Sequence, residues 1–222
     1  MEIGIVSDIH GNLPALEAVK NELDSKSVEQ IVCLGDTIGY NPWPRECLEV
    51  VHDWADIVLQ GNHDRDVVDP DRYLGHEMPY EGLVHAKSEL TQSQIEWLQS
   101  LPEKTVEQFG GVSYMLVHSH PEQTDKYVRP GGFPRMRPFL NEESGCFLGH
   151  THVQHKAVID GKLILNPGSV GQPRDNDSRA AYAVVDTENN SATLNRVSYN
   201  IDRVIEEVNR DGLPERIGSR LK

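Results

Sequence analysis

The sequence predicts an α/β fold. Short apolar runs that read as buried strands alternate with segments whose apolar residues recur at helical spacing. Several of these runs end abruptly in tracts of Gly, Asp, Asn and His. Hairpin signals in the second half add antiparallel strands. At 222 residues the chain fits one domain, residues 1–222, large enough to bury a substantial core.

Taken in order, residues 2–6 are apolar almost throughout, as in a strand covered on both faces. Residues 12–22 follow as a helix with Leu13, Leu16, Ala18, Val19 and Leu23 at helical spacing. Residues 30–34 are a second buried strand, 44–54 a helix with Cys47, Leu48, Val51 and Trp54 on one side, and 56–60 a third strand. The alternation describes one doubly wound half. Residues 65–89 are polar, include the turn Asp69-Pro70-Asp71, and receive no element. Thr91 with Gln94 forms a capping box that opens a helix through Leu101, stopped by Pro102. Ile95, Leu98 and Leu101 then face the core, with Trp97 beside them. Residues 113–117 are a strand ending at His118, and residues 119–138, rich in Pro and Gly, form a long loop of the kind that often serves function. A strand at 145–148 leads to His150. Strands 155–159 and 163–165 flank Asp160-Gly161, a hairpin signal, and strands 181–185 and 192–198 flank Glu188-Asn189-Asn190. A last helix spans 202–209 and stops at Asp211-Gly212.

Composition narrows the function classes. Lys and Arg total 21 against 35 Asp and Glu, a net charge of −14. That balance argues against coating nucleic acid or adhering to anionic membrane, so no stable nucleic-acid complex is expected. No apolar run reaches the length of a membrane span, and the first residues read as a strand rather than a signal peptide. Cys33, Cys47 and Cys146 are odd in number and widely spaced, which suits free thiols in a reducing cytoplasm.

The chemistry lies in Asp8-Ile9-His10, Gly35-Asp36, Gly61-Asn62-His63-Asp64 and Gly149-His150-Thr151-His152, joined by His118. Each follows a predicted strand, where ligands gather in open α/β sheets. Carboxylate, amide oxygen and imidazole together suit a pair of divalent cations. In a continuing strand, residues i and i+2 share a face, so Asp8 with His10, and His150 with His152, would each reach one ion. Asp36 is placed to bridge. Taken singly, each residue has a plainer reading: the aspartates as turn or cap residues, Asn62 as a turn former, His118 as a core or surface histidine. The ordered series carries the metal reading.

This series resembles the calcineurin-like metallophosphoesterase superfamily. The closest resemblance is to its small single-domain phosphodiesterase branch, of which the tract Asn166-Pro167-Gly168-Ser169-Val170-Gly171-Gln172-Pro173-Arg174 is typical. It implies a four-layer α/β/β/α sandwich, two mixed sheets flanked by helices with metals at one edge. It implies that Asp8, His10 and His152 hold one ion, that Asn62, His118 and His150 hold a second, and that Asp36 bridges them. The implied reaction is in-line attack of a metal-bridging hydroxide on a phosphate ester. His63 and Asp36 are the implied catalytic residues, His63 protonating the leaving alkoxide or stabilising phosphoryl charge. The implied cofactors are two divalent ions, manganese first, with nickel, iron or zinc also suited. The substrate is a small phosphate ester or nucleotide, most simply a diester. Alternatives are a phosphoprotein phosphatase, a dinucleoside polyphosphate hydrolase or a non-catalytic scaffold, as in the retromer subunit of this fold. Membrane partners are not expected, and the chain is free to form oligomers.

One departure stands out. Many relatives carry Gly-Asp-x-x-Asp, whose second carboxylate orients the catalytic histidine, and here Gly39 occupies that position. Another acid or a backbone carbonyl is the expected substitute. Candidate substrate contacts are Arg174, Tyr40 and Arg45, with Arg129 from the long loop. That loop carries Lys126, Arg129, Arg135 and Arg137 against Glu122 and Asp125, a local excess of positive charge. Asn166 is a candidate brace for a ligand loop. His52, His76, His85, His120 and His155 read as bystanders.

Overall fold

Strand β1 (Glu2–Val6) explains why two sheets stack. Its residues alternate between faces, so Ile3 and Ile5 enter the core between the sheets while Val6 packs under the outer helices. The computed structural model describes residues 1–222. After β1 come α1 (Leu13–Asp24), β2 (Gln30–Cys33), α2 (Pro44–Trp54), β3 (Ile57–Val58), α3 (Asn62–Asp66), α4 (Glu77–Glu89), α5 (Gln92–Ser100), β4 (Lys104–Phe109) and β5 (Val112–Val117). The chain continues with β6 (Gly145–Leu148), β7 (His155–Ile159), β8 (Lys162–Asn166), β9 (Ala180–Asp186), β10 (Ser191–Val197), α6 (Ile201–Arg210) and α7 (Glu215–Ser219).

Two mixed five-stranded sheets result, ordered β10-β9-β1-β2-β3 and β4-β5-β6-β8-β7. In the first, β1, β2 and β3 run parallel, while β9 and β10 add antiparallel strands. In the second, β5, β6 and β8 run parallel between antiparallel edges. Phe109, Tyr114, Leu116, Phe147, Leu163 and Leu165 of the second sheet meet Ile3, Ile5, Val32, Leu34, Ala183 and Val185 of the first. The fold class is therefore the one expected. Helix α1 starts where Asn12 accepts the Ala15 N–H at 3.2 Å and packs Leu16, Val19 and Leu23 on the first sheet.

The fourth layer departs from α-helix. The outer face of the second sheet, through Cys146, Leu148 and Ile164, is covered by Val128, Phe133, Met136 and Leu140. These belong to the segment expected as a loop, which forms a 3₁₀ run over Pro130–Phe139. Its prolines forbid a regular α-helix but allow this tighter turn. Strand β3 is shorter than expected, because the Gln60 N–H turns to the Pro102 carbonyl at 2.8 Å. Helix α4 lies in the stretch that received no element. It has no side-chain cap and buries only Gly82, Leu83 and Ala86, so it lacks both the start signal and a long apolar stripe. Strand β4, also unassigned, turns the polar Thr105 and Glu107 to its half-buried face. Helices α6 and α7 pack Val204, Val208 and Ile217 against Tyr40, joined by Leu221 just beyond α7.

Candidate metal centre

Strands β1 and β6 end at Val6 and Leu148, before any ligand residue is reached. Asp8, His10, Asp36, His150 and His152 instead adopt left-handed backbone, with φ of 55°, 51°, 55°, 64° and 58°. The expected convergence by strand alternation is thereby corrected: tight turns, not a shared strand face, aim these side chains. Asp, Asn and His tolerate this region better than other residues with side chains, yet each still costs on the order of 1–3 kcal/mol. Surrounding hydrogen bonds over-determine the turns. The Asp8, His10 and Gly11 N–H groups donate to Gly35, Asp36 and Thr37 carbonyls at 3.0, 2.9 and 2.9 Å, prolonging the β1–β2 ladder beyond the strands. Ser169 Oγ donates to the Asp8 carbonyl at 2.7 Å. Asn166 Nδ2 donates to the Gly149 carbonyl at 2.7 Å and to Thr151 Oγ1 at 3.0 Å, bracing the turn that carries His150 and His152.

The imidazoles are oriented by backbone carbonyls. Nδ1 of His10, His118 and His152 donates to the carbonyls of Ile38, Leu34 and Gln172 at 3.2, 2.9 and 2.6 Å. Each therefore presents Nε2 to the interior, as metal-ligating histidines held by a second hydrogen bond do. His150 is reversed: its Nε2 donates to the Asp125 carbonyl at 3.0 Å, leaving Nδ1 free. The free atoms converge. His10 Nε2 and His152 Nε2 are 3.0 Å apart, and Asp8 Oδ1 lies 3.3 Å from the latter. Asp36 Oδ2 lies 3.6 Å from His10 Nε2 and 3.4 Å from His118 Nε2. Bonds of about 2.1 Å at right angles set neighbouring ligand atoms about 3 Å apart, so these spacings fit metal coordination. Asn62 Nδ2 donates to the Tyr73 hydroxyl at 2.7 Å, while its Oδ1 and His118 Nε2 are buried without a hydrogen-bond partner. A cation is the partner such atoms lack.

Charge balance supports the same fit. Burial opposes ionisation of Asp36, but His118, His63 and His10 beside it hold its carboxyl well below the usual range. Asp8 is likewise held low, against burial, chiefly by His152. Burial opposes charging of His118, yet Asp36 and Asp8 raise its imidazole to about 10. Burial lowers His63 to about 4 despite Asp36.

Asp36 divides its two oxygens. Oδ1 accepts the His63 N–H at 2.8 Å, which leaves Oδ2 between His10 and His118. Gly61 permits this approach, since a Cβ there would stand 2.1 Å from Asp36 Oδ1. Asp64 ties the loops together, accepting N–H donors from Asp36 (2.7 Å), Thr37 (3.0 Å), Ile38 (3.3 Å) and Gly61 (3.0 Å).

His63 is oriented differently from expectation. Neither an acid nor a carbonyl takes its Nδ1, which is buried without a partner. Its ring instead lies among aromatic rings, with centroids of His10 at 4.7 Å, Tyr40 at 4.7 Å and Tyr73 at 5.5 Å. Gly39 closes the fourth side.

Around the cluster, Tyr40 packs edge-on against His10 at 4.6 Å, and Arg174 Nη2 donates to its hydroxyl at 3.2 Å. On the opposite side Tyr127 stacks on His150 at 4.3 Å, with the Arg129 guanidinium 5.6 Å from the Tyr127 ring. Arg45 is exposed on the first turn of α2, 3.9 Å from Glu46. Of the long loop's cations, Arg137 lies 3.8 Å from Asp160, whereas Lys126, Arg129 and Arg135 are exposed. His120 accepts the Glu122 N–H at 3.2 Å and packs edge-on against Phe139. Sequence reasoning missed Tyr73 and the pairs that anchor the loop: Arg65 donates to Asp66 (2.8 and 2.7 Å) and to Asp125 (3.1 and 3.0 Å). These residues lie in or beyond the unassigned polar stretch, where no periodicity marked them.

The profile of the calcineurin-like phosphoesterase superfamily domain matches residues 1–190. The crystal structure of a metallophosphoesterase from Sphaerobacter thermophilus is 32% identical, covers 100% of this chain and 98% of its own, and superposes with a TM-score of 0.82. The uncharacterized protein MJ0912 of Methanocaldococcus jannaschii is 32% identical over 99% of this chain and 96% of its own length. Phosphodiesterase YfcE of Escherichia coli is 26% identical over 94% of this chain and 97% of its own.

Proposed function

Because the chain belongs to the calcineurin-like phosphoesterase superfamily and is a hydrolase acting on phosphate ester bonds, we propose that it is a phosphodiesterase built on a dinuclear metal centre. The reading takes residues 1–222 as one catalytic domain. Asp8, His10 and His152 would hold one divalent ion. Asn62, His118 and His150 would hold the other, with Asp36 shared. The carrying observation is Asp36 Oδ2, set between His10 Nε2 and His118 Nε2 while Oδ1 is occupied by the His63 N–H. Manganese is the first candidate, and nickel, iron or zinc suit the same ligands.

When bound, the ions lower the pKa of water and neutralise phosphoryl charge. The protein's own residues do the rest. His63 stays neutral in its buried aromatic setting and offers an N–H to the leaving or phosphoryl oxygen. Arg174, held on Tyr40, receives a phosphoryl oxygen from one side, and Arg129 guards the other. A small ester or nucleotide suits an acidic chain of net charge −14 better than a nucleic-acid polymer. No helix is long and apolar enough to cross a membrane. A reducing, cytoplasmic setting suits the free, buried Cys33, Cys47 and Cys146.

Turnover of bis(4-nitrophenyl) phosphate and 4-nitrophenyl phosphate, after chelation and with Mn²⁺ restored, tests this function. Metal-dependent hydrolysis favouring the diester is expected. A preference for the monoester overturns the diesterase reading, and silence on both returns the scaffold alternative.

A further inference from the structure

Beside Arg174 lies a polar cleft of about 370 Å³, lined by Asn176, Asp177, Ser178, Arg220 and Lys222. Arg174 joins it to the metal centre. Its Nη2 donates to the Tyr40 hydroxyl and to Gln172 Oε1, each at 3.2 Å, and its Nε is buried without a partner. Tyr40 in turn touches His10 and His63 at ring distances of 4.6 and 4.7 Å.

The other cations are placed by the fold. Leu221 is 1% exposed and packs in the same apolar cluster as Tyr40, so its neighbours Arg220 and Lys222 are held at the cleft wall. The nearby acids are partly neutralised. Asp177, on the cleft wall, takes a two-pronged bond from Arg179 at 3.0 and 2.7 Å, and Asp175 receives Arg196 and the Gln154 N–H on Oδ2 while its Oδ1 is buried without a partner. The Lys222–Asp202 pair, at 3.7 Å, is largely exposed, with side chains 64% and 81% accessible, and holds Lys222 only weakly. A cationic cleft thus opens next to the reaction centre of a strongly acidic chain, where field is set by local rather than net charge.

We propose that this cleft is a subsite for a second phosphoryl group of the substrate. Arg220 and Lys222 bind that group and Arg174 spans the two phosphates. The substrate class is then a phosphate diester bearing another phosphate, such as a phosphorylated nucleotide ester, rather than a diester with neutral arms. This inference rests on the diesterase reading above.

The test compares thymidine 5′-(4-nitrophenyl phosphate) with the same ester carrying a 3′-phosphate, following nitrophenolate release with Mn²⁺ present. The wild type should favour the doubly phosphorylated ester in kcat/KM by about tenfold, the size of one charge-assisted hydrogen bond. The preference should shrink as salt rises. The double variant Arg220→Ala, Lys222→Ala should lose the preference, and Arg220→Lys should keep most of it. Equal kcat/KM for both esters in the wild type, or a preference that survives the double variant, overturns the subsite alone. Failure to hydrolyse either ester removes the diesterase reading and the subsite with it.

Discussion

Gly39 faces the imidazole of His63 so closely that a Cβ at residue 39 would stand 2.4 Å from Nδ1. The position that holds a histidine-orienting aspartate in many relatives is thus filled by the ring itself. Gly39 also has φ of 106°, in the left-handed half of the map. Orientation of His63 passes from a carboxylate to a close-packed wall of rings and backbone.

Gly39→Ala should therefore fail twice. Strain and overlap should cost about 1–3 kcal/mol of stability, read as a lower Tm. Displacement of His63 should cut kcat at least about tenfold, with metal content retained. Wild-type kcat in this variant would mean that the glycine does not place the ring.

Asp36→Ala should weaken both metal positions, because one oxygen lies between the two ligand sets. Metal analysis after gel filtration gives the stoichiometry. Retention of both ions would rule out a shared carboxylate.

His63→Ala should keep its metals and lose about 10²–10³-fold in turnover if its neutral N–H supports charge on the leaving oxygen. A nitrophenolate leaving group needs little protonation, so the loss should be smaller there than with an alkoxide. Equal losses on the two esters would assign His63 to phosphoryl charge instead.

Asp64→Asn tests the hub of the ligand loops. Its carboxylate accepts from Asp36, Thr37, Ile38 and Gly61, and an amide would turn an N–H₂ toward donors. A loss of about 2–4 kcal/mol is expected, seen as a lower denaturation midpoint with or without metal. An unchanged midpoint would show that the loops hold themselves.

Lys126→Ala with Arg129→Ala should raise KM for a nucleotide-like diester more than for bis(4-nitrophenyl) phosphate, with metal content unchanged. Both residues are exposed on the segment that Tyr127 pins to His150. Small, equal changes would make that segment a cover alone.

Much of this is legible in the sequence itself. The helix over 44–54 and the hairpin at Asp160-Gly161 have strong local signals, a proline start and a tight-turn pair, and the structure has both. Helix α4 was not legible because its buried face is small and its start uncapped. In the site, residue types announced the ligands, but their aim did not. Glycine is the usual sign of left-handed backbone, and here Asp8, His10 and His150 adopt it themselves. Nor could spacing show that the rings of Tyr40 and Tyr73 would flank His63 while no acid reaches its Nδ1.

The Asp8 carboxylate accepts the His150 N–H across 142 residues of chain, one partner following a strand of each sheet. Each proposed ion draws on both sheets, since His152 joins Asp8 and His10, and His150 joins Asn62. Neither half of the chain, expressed alone, should then retain an ion tightly. Binding falls on the docked state only, so each tenfold excess of metal over Kd should add about 1.4 kcal/mol to resistance to unfolding. Refolding in chelator should wait on these distant contacts, and the metal should act afterwards as a latch between two preformed sheets.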